Sequence, residues 1–203
     1  MDGWLNAGGT DDAPIYFTAS VDDSVGGDTG RDGSAGVPKA GWWRGVQLRN
    51  AGSATMRHCV VAFSGYAETA GIYAQGIGAL NLRSTTIRNT YGDGLRIYGS
   101  TGETTIAGNT FTLNTTGVTV SGETQCITLR NNNIHGNSSH GVINRNAEVV
   151  DVRHNWWGAP SGPYHPSLNA GGEGNAVSDG VLFEPWQDQE NTSEGEGEGE
   201  GGG

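Results

Sequence analysis

The chain has 203 residues, of which 34% are hydrophobic and 16% charged, with 36 glycines, 2 cysteines and a formal net charge of −11. A uniformly acidic surface argues against a nucleic-acid partner, and no apolar run approaches the about 18 residues of a helical membrane span. The length suits one domain with a slim core.

The first apolar segment, Pro14-Ile15-Tyr16-Phe17-Thr18, has the alternation of a short strand. The densest acidic stretch follows, with Asp22, Asp23, Asp28 and Asp32 set among glycines. Asp28, Gly30, Asp32 and Gly33 echo the start of a calcium loop, where oxygens at alternate positions converge on the ion. The twelfth position from Asp28 is Lys39, not the Glu that closes an EF-hand. Two expectations stand for this loop. Either Asp22, Asp23, Asp28 and Asp32 hold a structural calcium, or the aspartates cap backbone amides in a turn. No cofactor is required.

From residue 45 the chain repeats itself. Gly45-Val46, Gly71-Ile72, Gly94-Leu95, Gly117-Val118 and Gly141-Val142 are spaced 26, 23, 23 and 24 residues apart. Val61, Ile87, Phe111, Ile134 and Trp157 keep step at 26, 24, 23 and 23. A repeat this short cannot bury its own apolar residues, so successive units must stack. Within each unit the apolar residues alternate, as in Leu95/Ile97, Val118/Val120 and Ile127/Leu129, which is a strand signal and not a helical one. Each coil is therefore read as a Gly-led strand, a turn, a second strand of the form h-x-h-x-x-N-x-h, and another turn. The glycines are attributed to turns that need positive φ.

Asn109, Asn132 and Asn155 recur every 23 residues, with Thr85 and Cys59 at the equivalent earlier positions. Aligned amides at about 4.8 Å can pass hydrogen bonds from coil to coil. Cys59 reads as a small buried residue, with a reactive thiol as the alternative. Cys126, placed in a strand about three coils on, lies too far away to pair with it. Trp157 continues the inward column, and Gly180-Val181 is expected to resume the coil after a Pro/Gly-rich cap spanning 158–179. His58, His135, His140, His154 and His165 show no zinc-ligand clustering, and His135 and His140 read as turn residues. The architecture is all-β: a single-stranded parallel β-helix of roughly six coils of about 23 residues with a C-terminal capping loop.

These coils, the segment from Pro14 through Asp22-Asp23 to Thr29, and the ending Asn155-Trp-Trp-Gly-Ala-Pro-Ser-Gly-Pro resemble the right-handed parallel β-helix repeat proteins of the pectin-lyase-like superfamily. Many of those are bacterial secreted or surface proteins. The resemblance implies the fold. It does not choose among lyase, hydrolase, epimerase and non-enzymatic surface protein.

The expected organisation is a β-helix domain over 1–190 and a Gly/Glu low-complexity linker over 191–203. Within the domain, 14–49 is a first coil with the acidic loop, 50–157 the regular coils, and 158–186 the cap and last half-coil. Both ends look cut, and no secretion signal precedes the repeats. The chain is thus expected to be part of a larger exported protein, extracellular or at the cell surface, acting as a monomer.

Side chains that point outward are the candidates for binding. On the second strand Arg57, Arg83, Arg130 and Arg153 occupy equivalent positions, interrupted by Ala107. This column is either a docking strip for an acidic polysaccharide, contacted bidentately by guanidinium groups, or a solvated face with Glu148 and Asp151 as local partners. On the Gly-led strand one outward column is Gln47, Tyr73, Arg96, Thr119 and Ile143, and the next is Arg49, Gln75, Tyr98, Ser121 and Arg145. Tyr73, Arg96 and Tyr98 make a second patch, able to stack on a sugar ring or simply to pack across strands. Neither column contains a carboxylate, whereas a glycosidase usually needs two. No catalytic residue is assigned. The expected function is a non-catalytic extracellular module that binds carbohydrate or serves as a cell-surface structural or adhesive element. The alternative is a polysaccharide lyase, glycoside hydrolase or epimerase.

Overall fold

The computed structural model describes residues 3–33, 35–49, 52–124 and 126–192, apart from the side chain of Glu68. The Gly-Glu tail, expected to be a linker, lies outside the described residues beyond Thr192. The first turn of the solenoid contains β1 (Trp4–Gly8), β2 (Ile15–Phe17) and β3 (Val46–Arg49). Four regular turns follow. They comprise β4 (Ser53–Arg57), β5 (Cys59–Ala62) and β6 (Ala70–Ile77); then β7 (Ala79–Arg83), β8 (Thr86–Arg88) and β9 (Asp93–Ser100). Next come β10 (Thr104–Ala107), β11 (Thr110–Thr112) and β12 (Thr116–Thr124); then β13 (Ile127–Arg130), β14 (Asn133–His135) and β15 (His140–Asn144). A closing pair, β16 (Val150–Asp151) and β17 (Val181–Leu182), completes the stack. The fold is the expected parallel β-helix, with four regular turns instead of roughly six. No described helix is long and apolar enough to cross a membrane.

Every pairing between turns is parallel, and the turns build three faces. The first is β1-β4-β7-β10-β13, the second β2-β5-β8-β11-β14, and the third β3-β6-β9-β12-β15. Each regular turn thus has three strands where the sequence suggested two. The h-x-h and N-x-h halves of the second strand separate at a residue with left-handed backbone: His58, Ser84, Gly108, Asn131 or His154, with φ between 46° and 66°. Four of the five are not glycine, so the corner carries no turn signature. It costs on the order of 1 kcal/mol per residue, which the stack must offset.

The residue after each corner supplies that compensation. Asn155 Oδ1 accepts from the Asn132 N–H at 2.8 Å, Asn132 Oδ1 from the Asn109 N–H at 3.0 Å, and Asn109 Oδ1 from the Thr85 N–H at 3.0 Å. Thr85 Oγ1 then accepts from the Cys59 N–H at 3.3 Å. Amides that the bend removes from the sheet ladder are satisfied by side chains of the next turn. Cys59 is buried, and burial pushes its thiol up from its ordinary value, which suits an inert core thiol. Cys126 is not in a strand but at an exposed positive-φ corner before β13, and both cysteines are free.

A second ladder stands at the corner between the second and third faces. Asn175 Oδ1 accepts from the Asn137 N–H and Asn137 Oδ1 from the Asn114 N–H, at 3.0 and 3.1 Å. Asn114 Oδ1 accepts from the Thr90 N–H at 3.0 Å, and the Thr90 hydroxyl lies 3.1 Å from that of Ser64. This ladder explains the Gly-led strands. Gly71, Gly94 and Gly117 do not have positive φ. A β-carbon on each would sit 2.6, 2.8 and 2.6 Å from the carbonyl oxygen of the next glycine in the column. At Gly94 it would also lie 2.9 Å from the Asn114 amide. Close approach between turns, not turn conformation, selects glycine there.

The core runs along the axis through Met56, Leu82, Ile106 and Leu129 on the first face, Val61, Ile87, Phe111 and Ile134 on the second, and Ile72, Leu95, Val118 and Val142 on the third, all fully buried. Trp157 closes the second column. Val177, not Val181, continues the third by bridging to Val142, while Val181 pairs with Val150 in a separate two-stranded sheet. The segment expected to resume at Gly180-Val181 therefore resumes at Ala176-Val177, because the excursion ends where Asn175 enters the second ladder. His135 and His140, expected in turns, lie in β14 and β15.

Candidate functional site

The arginine column is in register: Arg57 pairs with Arg83, Arg83 with Ala107, and Ala107 with Arg130. Strand alternation puts Met56, Leu82, Ile106 and Leu129 inward and these neighbours outward. The column divides in two. Asp151 bridges Arg130 and Arg153: its Oδ2 lies 2.7 Å from Nη2 of each, and its Oδ1 accepts from Arg153 Nε at 2.9 Å. Of the two local partners expected, Asp151 and not Glu148 fills the role. The hydrogen bond from Arg153 holds the Asp151 carboxyl well below the usual carboxylate range, against burial that pushes it up; the charges of Arg130 and Arg153 act in the same direction.

A pH dependence follows. A carboxyl with a depressed folded-state pKa stabilises fully above its unfolded value near 3.9 and loses that contribution as pH falls toward the folded value. Asp151→Asn should therefore melt below wild type at pH 7. The gap should narrow as pH drops below about 4. Thermal melts of both proteins across that range check it, and a gap that widens in acid would contradict the bridge. Because the pair is about one-third exposed, the effect at pH 7 is small, at most about 1 kcal/mol.

The other half of the column faces a groove of about 680 Å³ at the corner between the first and second faces. Arg57 and Arg83 line it from adjacent strands, with the hydroxyls of Thr86 and Thr110 and the amides of Asn131 and Asn133. Arg83 Nε also donates to Asn81 Oδ1 at 3.0 Å, which fixes its direction. At one end His58 Nδ1 lies 2.8 Å from Asp11 Oδ1. At the other, the chain after the cap folds back along the corner. Gln187 N–H donates to the Asn155 carbonyl at 3.0 Å, and Asn191 N–H to Asn133 Oδ1 at 2.9 Å. The sequence pattern identified the arginines but not this strap, which carries no periodic signal.

The tyrosine patch is less open than the pattern suggested. Arg49 covers the Tyr73 ring, with its guanidinium carbon 5.4 Å from the centroid. Arg96 Nε lies 2.5 Å from Asp93 Oδ2. Thr119 faces outward between Arg96 and Ile143 yet is buried. Tyr98 alone of the patch is broadly exposed, at 51%.

In the acidic loop three of the four aspartates converge, and Asp22 is outside that group. Asp22 accepts from the Thr18 hydroxyl at 2.6 Å and the Ser24 hydroxyl at 2.5 Å. Burial pushes its carboxyl up, but these bonds outweigh burial and leave it below its ordinary value. Asp23, Asp28 and Asp32 bring one carboxylate oxygen each to within 4.8 Å of one another. Asp28 builds the turn, its two oxygens accepting from the Asp32 and Gly33 amides at 2.9 and 3.0 Å.

The geometry defines a parallel β-solenoid with a basic groove on one corner. The family described as a right-handed β-helix region matches residues 44–157, more than half of the chain, and the chain belongs to that family. No curated protein and no solved structure gives a significant match.

Proposed function

We propose that the chain is a non-catalytic extracellular β-helix module that binds an acidic polysaccharide along the groove lined by Arg57 and Arg83. The observation that carries this reading is the in-register arginine pair, about 4.8 Å apart by strand spacing, facing a groove with neutral hydroxyl and amide donors. A polyanion with carboxylate or sulfate groups at sugar-repeat spacing matches such a row, since guanidinium groups bind these anions bidentately. Arg130 and Arg153 extend the row, but Asp151 neutralises part of their charge. The Tyr98 ring offers a separate stacking surface on the third face.

Calorimetric titration with polygalacturonate and chondroitin sulfate tests the reading. Arg57→Ala and Arg83→Ala should each weaken binding about tenfold or more, since a charge-assisted hydrogen bond is worth about 1.5–3 kcal/mol. Arg130→Ala should weaken it less. Added salt should weaken binding of the wild type, because exposed charges are screened over about 8–10 Å. If the Arg57/Arg83 double variant binds both polymers as the wild type does, the groove is a solvated corner and the module a spacer. Release of unsaturated or reducing sugar ends would instead make it an enzyme.

A further inference from the structure

The long excursion between β2 and β3 carries a feature that the glycan reading does not use. Both carboxylate oxygens of Asp23 and Oδ1 of Asp32 are shut off from solvent, and no donor reaches them. Among the described residues no Lys, Arg or His forms an ion pair with Asp23, Asp28 or Asp32. A buried carboxylate without a donor or counter-charge is among the costlier arrangements in a protein, and here a second and third carboxylate stand within 4.8 Å. Asp22 and Asp28 have their donors in place, so the lack is specific to Asp23 and Asp32. Gly36 packs tightly on the cluster: a β-carbon there would lie 2.5 Å from Asp32 Oδ2.

We propose that Asp23, Asp28 and Asp32 bind a calcium ion that cross-links the acidic loop within the excursion between β2 and β3. Hard oxygen ligands with no sulfur or imidazole nearby select an alkaline-earth cation. The oxygens fall within the about 4.6–5.2 Å span of a calcium sphere, twice a Ca–O distance of 2.3–2.6 Å. Calcium accepts irregular geometry and sheds its water readily, whereas magnesium demands an octahedron and keeps its water. The oxygens of Asp28 retain lone pairs after accepting the two turn amides, so the turn and the ion are compatible. Asp22 belongs to the loop's scaffold and not to the site.

The test uses the full chain, stripped with a chelator and titrated with calcium chloride or magnesium chloride. Calcium should bind with one site and a Kd on the order of 10⁻⁴–10⁻³ M, the range of extracellular modules. It should also slow tryptic cleavage after Arg31, which is exposed between Asp28 and Asp32. Magnesium at equal concentration should do neither. Asp23→Asn and Asp32→Asn should remove the calorimetric signal and the protection, while Glu103→Gln, outside the loop, should preserve both. Deleting residues 193–203 separates this site from the glutamates of the tail and should leave it intact. The proposal fails if the wild type shows no calcium-dependent change, if both Asn variants retain it, or if the tail deletion abolishes it.

Discussion

Replacing Asn132 by Leu should destabilise the solenoid by about 3 kcal/mol or more. The side chain is fully buried. Its Nδ2 donates to the Ile106 carbonyl at 2.9 Å and to Asn155 Oδ1 at 3.0 Å, while its Oδ1 accepts from both the backbone and the side-chain nitrogen of Asn109, each at 3.0 Å. Leucine matches the volume but strands the Asn109 N–H away from water and takes a donor from the Ile106 carbonyl and from Asn155 Oδ1. Each such orphan costs about 1–3 kcal/mol. The same change at Asn114 should cost a similar amount, because its contacts in the second ladder repeat those of Asn132. Denaturant unfolding of the two variants measures both. If either melts with the wild type, that ladder is not a structural element.

Trp157 gives the second large effect, and two substitutions there should differ sharply. It is the largest fully buried side chain and ends the column of Ile134 and Phe111. Trp157→Ala should cost about 3–5 kcal/mol, the usual range for emptying an aromatic core site. The indole Nε1 has no hydrogen-bond partner, although it is buried. Phenylalanine removes that unsatisfied donor while keeping most of the ring, so Trp157→Phe should recover most of the loss and cost under about 1.5 kcal/mol. Equal destabilisation by Ala and Phe would show that the indole nitrogen is satisfied after all.

What the sequence revealed depended on whether a physical constraint left a periodic trace. Inward columns such as Val61, Ile87, Phe111 and Ile134 must recur once per turn, and they did so legibly. The Asn109, Asn132 and Asn155 ladder was legible for the same reason. The second ladder was not, since only Asn114 and Asn137 are asparagines in step, and Asn175 follows 38 residues later, after the cap excursion. The third strand per turn was hidden because its corners use residues such as His58, Ser84 and Asn131 instead of glycine. In the acidic loop, Asp22 and Asp23 are neighbours in sequence and equivalent by type. The hydroxyls of Thr18 and Ser24 tell them apart, and only the fold brings those into place. The arginine column was legible; the groove beside it depends on the strap from Gln187 to Asn191, which follows no repeat.

The two long excursions leave the stack at the same corner. Residues 18–42 run from the second face to Trp43, which bridges to Ser64, and residues 158–174 run from Trp157 to Asn175. In both cases the chain returns to the register of the second ladder, so the added length leaves the faces before and after it aligned. That edge therefore behaves as a splice point. In the shorter connections there, the exposed positions Tyr91 and Leu113 stand beside the buried ladder residues Thr90 and Asn114. Those two exposed positions are the places where a foreign peptide could be inserted for display without moving the groove at the other corner of the second face.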